Sequence, residues 1–443
     1  MEIEKILIGK RVTLHSLGCK LNFAETASLR DRLFQCGMTS AEEGAADVCI
    51  VNTCSVTEVA DQKCRQAIHR MHRENPEALM VVMGCFAQLQ GAAIAAMEGV
   101  DLVVGMEEKA HVVELIAGAL EQRNAFEKCH SGLRRDIRTF VPSCSRGNRT
   151  RYFLKVQDGC DYFCTYCTIP MARGRSRSGR IADLVAQARR VGEQGGREIV
   201  ITGVNIGDFG RGTGETLLDL LKALDAETEI ARYRISSIEP DLLGDKVIDF
   251  CAKSRAFMPH FHLPLQSGSD EVLRLMRRHY DSALFADRVA RIKQAMPDAF
   301  IGVDVIVGMR GETDELFDES YRFIEGLDVS QLHVFSYSER PGTRALQIPL
   351  RVDAAVKKAR SARLLALSER KRQAFYEKYV GTEREVLWEH AREGAEQQGF
   401  TDNYIRVALP LGQTRPENSL ESVWLEPNRA GEEALLARAR AHV

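Results

Sequence analysis

The sequence predicts an α/β protein in three parts: an N-terminal open parallel α/β sheet, a central partial (β/α)6 barrel, and a small C-terminal β-barrel. Three observations carry this. Short apolar runs alternate with amphipathic stretches from about residue 10 to 120. The alternation resumes from Arg151 to about Glu369 with six strand-like runs. After Tyr379 the runs become short, β-like and separated by turns. Helices between strands read as parallel sheet, and short strands alone read as a small barrel. At 443 residues the chain exceeds one ordinary core. The expected division is 10–125 for the first domain, 126–150 for a linker, 151–375 for the central barrel and 379–443 for the last.

In the first part the strands are Arg11–Leu17, Val48–Asn52, Leu79–Met83 and Leu102–Val104. Asn22–Cys36 and Val59–His72 carry apolar residues at the three- and four-residue spacing of helices. The connector is basic and poorly patterned, with Arg134, Arg135, Arg138, Arg146 and Arg149. Central strands are expected at Tyr152–Val156, Glu198–Thr202, Tyr233–Ser236, Phe261–Leu263, Gly302–Val307 and Gln331–Phe335. Residues 351–378, with 9 Lys+Arg against 3 Asp+Glu, read as one long helix. Glu383–Trp388 and Tyr404–Leu409 are strands of the last part.

Composition sets limits. Hydrophobic residues at 44% and charged residues at 28% are ordinary for a globular protein, and a net charge of −2 confines any nucleic-acid affinity to local patches. No apolar run reaches the ~18–20 residues of a membrane span, and no signal-peptide pattern opens the chain, so a cytoplasmic protein with no membrane partner is expected. Twelve cysteines then point to metal chemistry rather than disulfides.

Six of those cysteines form two groups. Cys160, Cys164 and Cys167 lie in one loop at C-x3-C-x2-C spacing, directly after the first central strand. Three thiolates so spaced can hold three irons of a cubane and leave the fourth open, whereas ordinary electron-transfer clusters take four cysteines. A zinc site is the competing reading, but zinc normally takes a fourth ligand. Cys19, Cys54 and Cys85 each follow a strand of the first domain. The carboxyl ends of parallel strands line one crevice, so strand register brings these thiols together there; packed core cysteines are the alternative. Cys36, Cys49, Cys64 and Cys251 read as packing residues, and Cys129 and Cys144 as incidental.

The loop triad, with Tyr166 before its last cysteine, resembles the radical S-adenosylmethionine (SAM) enzymes. Together with the strand-end triad it resembles the methylthiotransferases over nearly the whole chain. Supporting stretches are Pro170–Arg177, Ser236–Pro240, His262–Ser269 and Val305–Gly308; Met309-Arg310 stands where the family usually has Phe-Pro. Gly18–Asn22, Thr202–Gly207 and Gly399–Tyr404 look most like the branch acting on N6-threonylcarbamoyladenosine of tRNA, beside the anticodon. The same chemistry on isopentenyladenosine or on a ribosomal-protein aspartate is the first alternative. A non-catalytic iron–sulfur RNA-binding protein is the second.

The resemblance implies two 4Fe–4S clusters, one on Cys160, Cys164 and Cys167 that cleaves SAM and one on Cys19, Cys54 and Cys85 that carries sulfur. It implies two SAM molecules per turnover and a flavodoxin- or ferredoxin-like reducing system. Tyr166, Glu239, Gln266, Ser267 and Val305 would contact the cofactor, Glu239 at the ribose. The last domain would be TRAM-like. Residues 128–180 hold 12 Lys+Arg against 3 Asp+Glu, so Arg173, Arg175, Arg177 and Arg180 are the expected contacts to a tRNA anticodon stem-loop. A solvated charged face is the plainer reading of that run, and of Glu239 as well. His262 and His279 have no assigned role.

Overall fold

A computed structural model describes residues 2–41, 46–123, 125–132, 137–147, 149–391, 394–429 and 431–438. Arg134 and Arg135 of the basic connector lie outside the described residues. The chain forms two compact units. The first joins Met1–Gly147 with Lys155–Gly179 and Ser338–Leu346, and the second holds Asn148–Leu154, Arg180–Tyr337 and Gln347–Val443.

The first unit is built on a six-stranded parallel sheet in the order Thr39–Ser40, Arg11–Ser16, Val48–Thr53, Leu79–Gly84, Leu102–Val104, Cys129–His130. Its central strands Val48–Thr53 and Leu79–Gly84 are buried at every position because both faces are covered. Val48 and Ile50 pack on one face with Leu29, Leu33 and Ile116. Cys49 and Val51 pack on the other with Cys64, Ile68 and Met71. The helices over these faces run Lys20–Gln35, Glu58–Glu74 and Val112–Glu121. The stretch expected as a linker supplies the sixth strand, where Val103 and Val104 pair with Cys129 and His130. A two-residue edge strand is too short to leave a periodic signature.

In the second unit, strands Glu198–Thr202 and Arg232–Ile235 pair in parallel, as do His260–Gln266, Phe300–Val307 and Gln331–Ser336. Bridges at Tyr233–Phe257 and Ser237–His262 link the two groups. Tyr152–Lys155, whose first three residues belong to this unit, neighbours Glu198–Thr202. Helices Ile181–Glu193, Leu217–Glu227, Asp245–Lys253, Ser282–Ala295 and Asp314–Gly326 separate the strands, and Ala354–Glu377 follows the last. Thr216 and Asp219 close a reciprocal capping box on the second of these helices.

The C-terminal strands Glu383–Trp388, Gln398–Thr401, Arg406–Ala408, Leu420–Glu426 and Leu435–Arg438 close into a barrel around Trp388, Val407, Val423 and Leu425. Arg232 and Arg234, both buried, tie the strand that carries them to this barrel. Arg234 donates to the Thr401 and Asp402 carbonyls at 2.7 and 2.8 Å and to Glu198 at 2.8 Å. Arg232 donates to the carbonyls of Phe400 and Glu385 at 3.0 and 2.7 Å. Among the described residues no helix is long and apolar enough to cross a membrane.

Candidate functional site

Both cysteine triads lie in the first unit. Asn52 pairs with Ser16 on one side and Met83 on the other, and Thr53 pairs with Gly84. Continuing the register puts Cys54 beside Cys85, with Gly18 as the matching residue of the first strand. Gly18 (φ +101°) and Gly84 (φ +104°) turn the chain where other residues would be strained. Each hands over to a cysteine at a helix start: Cys19 caps Lys20–Gln35, and Cys85 opens Cys85–Leu89. Helix N-termini favour thiolate. A methyl group on Gly18 would sit 2.7 Å from the Cys54 Sγ, so the bare glycine leaves the space that thiol occupies.

Cys54 and Cys85 are buried and Cys19 is exposed, giving the triad one open side. Burial pushes the Cys54 thiol up to about 12, and the neighbouring Cys85 and Cys19 add to the rise. Cys85 is raised by burial too, with Arg173 pulling it down. Two buried thiols whose ionisation is costly without a counter-charge suit a bound cation. Cys64, expected only to pack, lies directly against Cys54: its Sγ donates to the Cys54 carbonyl and accepts from the Cys54 N–H, both at 3.4 Å.

The second triad sits on a loop held from several directions. Cys160 N–H donates to the Gly174 carbonyl at 3.2 Å, and Cys167 N–H to the Cys164 carbonyl at 3.1 Å. Backbone N–H groups of Tyr162 and Ile169 point at the Cys160 and Cys167 sulfurs at 3.5 and 3.4 Å, the kind of donors that tune cluster sulfurs. Gln157 Nε2 holds the Gly159 carbonyl at 2.8 Å. Phe163 takes φ +51°, a conformation rare outside glycine, in the middle of the loop.

The two triads are joined. Thr168, next to Cys167, donates its hydroxyl to the carbonyl of Ser55, next to Cys54, at 3.3 Å. Ser55 Oγ in turn bonds Asp61 at 2.8 Å, and Arg340 donates to Ser55 Oγ at 2.8 Å while pairing with Asp61. Cys85 shares a buried cluster with Ala172 of the helix Ile169–Arg173.

The donor set fits multi-iron groups. Among the described residues, the group of three ligand-type side chains whose donor atoms all converge within 4.8 Å is His262, Asp304 and His333, not either cysteine triad. A tetrahedral zinc with Zn–S near 2.3 Å would draw sulfurs to about 3.8 Å. In each triad at least one pair of sulfurs lies beyond 4.8 Å, wider than that zinc geometry.

The other expected residues sit as follows. Tyr166 is half-buried in the cysteine loop. In the second unit Glu239 pairs with buried Arg278; burial pushes its carboxyl up to about 7 while Arg278 draws it down. Gln266 is buried at φ +69° and pairs in register with buried Val305. Ser267 Oγ is engaged with Ser320 at 3.4 Å and the Ser269 N–H at 3.2 Å. Arg175 and Arg180 are exposed, and Arg177 is half-buried on Asp158. Arg173 corrects an expectation: its side chain is 1% exposed and bound to Glu25, Asp158 and Asn22, so no phosphate can reach it.

Sequence reasoning missed Asn22, Glu25, Lys109, Lys155 and Asp158 around that arginine. One signal was present, since Glu25 stands with Leu21, Leu29 and Leu33 at four-residue spacing on a buried helix face. It also left His262 unassigned; its Nε2 lies 2.7 Å from Asp304.

Comparison with known proteins gives these positions a family. The Radical SAM superfamily matches residues 154–324, and uncharacterized protein family UPF0004 matches residues 11–105. The chain is 39% identical to threonylcarbamoyladenosine tRNA methylthiotransferase MtaB of Bacillus subtilis (strain 168), over 90% of this chain and 90% of that protein. It is 32% identical to the tRNA-2-methylthio-N(6)-dimethylallyladenosine synthase of Desulfotalea psychrophila (strain LSv54 / DSM 12343), over 92% and 94% respectively. Among solved structures, the radical S-adenosylmethionine methyltransferase TsrM from Kitasatospora setae aligns over 76% of this chain and 77% of its own, with a TM-score of 0.57 and 16% identity, a likeness of fold. The chain belongs to the radical SAM methylthiotransferase family, and is an enzyme of that class.

Proposed function

We propose that this protein methylthiolates N6-threonylcarbamoyladenosine beside the anticodon of tRNA, in the cytoplasm, using two 4Fe–4S clusters and two SAM molecules per turnover. The observation that carries the reading is the meeting of two three-cysteine sets in one unit, joined through Thr168 and Ser55. Each set offers three thiols where a closed cluster would need four. The choice of substrate is supported by the name of the Bacillus subtilis relative and by Gly18–Asn22. The isopentenyladenosine alternative is kept by the Desulfotalea relative, at lower identity.

When bound, the clusters would supply one electron for SAM cleavage at one triad and a seat for exchangeable sulfur at the other. The chain's own residues do the rest. Cys160, Cys164 and Cys167 would hold the first cluster, with the Tyr162 and Ile169 N–H groups directed at the Cys160 and Cys167 sulfurs. Cys19, Cys54 and Cys85 hold the second, with Cys19 on the open side where a sulfur source could approach. Glu239, in its ionised form, accepts from the SAM ribose hydroxyls and is oriented by Arg278. Tyr166, Gln266, Ser267 and Val305 complete the cofactor contacts, the last two by shape and backbone since Ser267 is internally bonded. Exposed Arg175 and Arg180 and half-buried Arg177 bind the phosphates of the anticodon stem-loop. A flavodoxin- or ferredoxin-like protein delivers the electron.

Mass spectrometry of tRNA nucleosides from a deletion strain tests this. The methylthio form of threonylcarbamoyladenosine should disappear and return on complementation. Loss of methylthio-isopentenyladenosine instead would overturn the substrate.

A further inference from the structure

Two buried carboxylates of the first unit, Glu25 and Asp158, are surrounded by four cations. Lys109 bonds Glu25 at 2.5 Å, and Lys155 lies 2.8 Å from Glu25 and 2.7 Å from Asp158. Arg173 reaches Glu25 at 3.0 Å and Asp158 at 2.9 Å, and Arg177 reaches Asp158 at 3.0 Å. Burying a charge costs several kcal/mol unless it is paired. Without Arg173, Glu25 would still hold Lys109 and Lys155, and Asp158 would hold Lys155 and Arg177. The carboxylates therefore do not require this arginine, and two positive charges stand in excess.

The excess faces sulfur. Arg173 is a charge neighbour of both Cys85 and Cys19. It also reaches the loops of Cys19 and Cys54 through Asn22, whose Nδ2 donates to the carbonyls of Leu17 and Thr53 at 2.9 Å each, just ahead of Gly18-Cys19 and of Cys54. The remaining amide oxygen of Asn22 accepts from Arg173 Nη2 at 2.6 Å. Only a planar, forked cation meets Asn22, Glu25 and Asp158 together.

We infer that Arg173 is a positioning residue for the Cys19/Cys54/Cys85 centre, bracing two of its cysteine loops through Asn22 and raising the reduction potential of the cluster held there. The inference rests on the proposed reading that this triad binds a cluster. A cubane on three thiolates is anionic and gains a further negative charge on reduction. Adjacent buried cations favour the reduced form, and net charge, hydrogen bonding and exposure set cluster potentials.

The test uses the full chain with Cys160, Cys164 and Cys167 changed to Ala, reconstituted anaerobically, so that one centre remains. Iron analysis and an EPR-monitored redox titration are then run on this parent, on Arg173→Met, on Arg173→Lys and on Lys109→Met. The parent should hold about four irons. Arg173→Met should shift the midpoint to lower potential, Arg173→Lys should recover part of the shift, and Lys109→Met, which leaves Asn22 untouched, should lower it as well. A parent without iron would overturn the cluster reading and the inference with it. A loaded Arg173→Met chain at the parent's potential would overturn the inference alone. Should Arg173→Met fail to fold, an unchanged potential in Lys109→Met would do the same.

Discussion

Gly18→Ala tests the strand-end triad without touching a cysteine. Gly18 adopts φ +101°, and a methyl group there would lie 2.5 Å from the Cys54 Cβ and 2.7 Å from its Sγ. Ordinary van der Waals contact begins near 3.4 Å, so the sulfur must retreat by at least 3.4 − 2.7 = 0.7 Å. Metal–ligand distances tolerate about 0.2 Å, so the displacement is several times what a ligand can absorb. Backbone strain adds about 1–3 kcal/mol. Gly9→Ala is the control: it has φ +75°, with nothing within 4 Å of the added carbon, and carries the strain alone. After anaerobic reconstitution the parent and Gly9→Ala should hold about eight irons per chain, and Gly18→Ala about four. Gly18→Ala should still form 5′-deoxyadenosine from SAM, because Cys160, Cys164 and Cys167 are untouched, while methylthiolated nucleoside falls by ~100-fold. Eight irons and unchanged methylthiolation in Gly18→Ala would refute the reasoning.

Five further outcomes are expected. Glu25→Leu takes from buried Lys109 its carboxylate partner in the network and leaves buried Lys155 and Arg173 with Asp158 alone, at a cost of about 3–5 kcal/mol; hydrogen exchange in Lys20–Gln35 should quicken by ~100-fold or more, and parental protection would count against the network. Because the Glu25 carboxyl is held well below its usual range by Arg173, Lys109 and Lys155 against the opposing effect of burial, its contribution to stability is fully present above the ordinary carboxylate range and is lost as pH falls below that range through the depressed folded value; acid titration of helix protection should show this, and Glu25→Leu should flatten it. The Glu239 carboxyl is raised to about 7 by burial, so SAM binding measured by calorimetry should tighten as pH rises through about 7 and lose that dependence in Glu239→Gln. For Arg234→Met, which strands buried Glu198, the fluorescence of Trp388 and Trp424 should report loosening of the C-terminal barrel at lower urea than in the parent. Finally, Arg175→Ala should reduce the salt slope of tRNA binding by about 0.7–0.9, whereas an unchanged slope would remove that residue from the interface.

The order of strands and helices, the cysteines after successive strands and the C-terminal barrel were all legible from periodicity and spacing, because each depends on residues close in sequence. Cys54 and Cys85 are neighbours through the register of Thr53 and Gly84, which alternating βα units already imply. Arg173 was misread for the opposite reason. Alone, a run of arginines signals solvent, since an isolated charge is too costly to bury. Its interior place depends on Asn22 and Glu25 from one helix, Lys109 from a distant turn and Lys155 and Asp158 from two successive strands, none of which is a sequence neighbour. The same holds for Arg340, which reaches Asp61 and Ser55 across most of the chain, and for Cys64, whose contact with Cys54 follows from how a helix returns over its sheet. The amino-acid order by itself determined the two cysteine sets and the scaffold that presents them. Which charges surround those thiols was decided only in the tertiary structure, because the stability of a buried ion depends on partners that folding alone brings within reach.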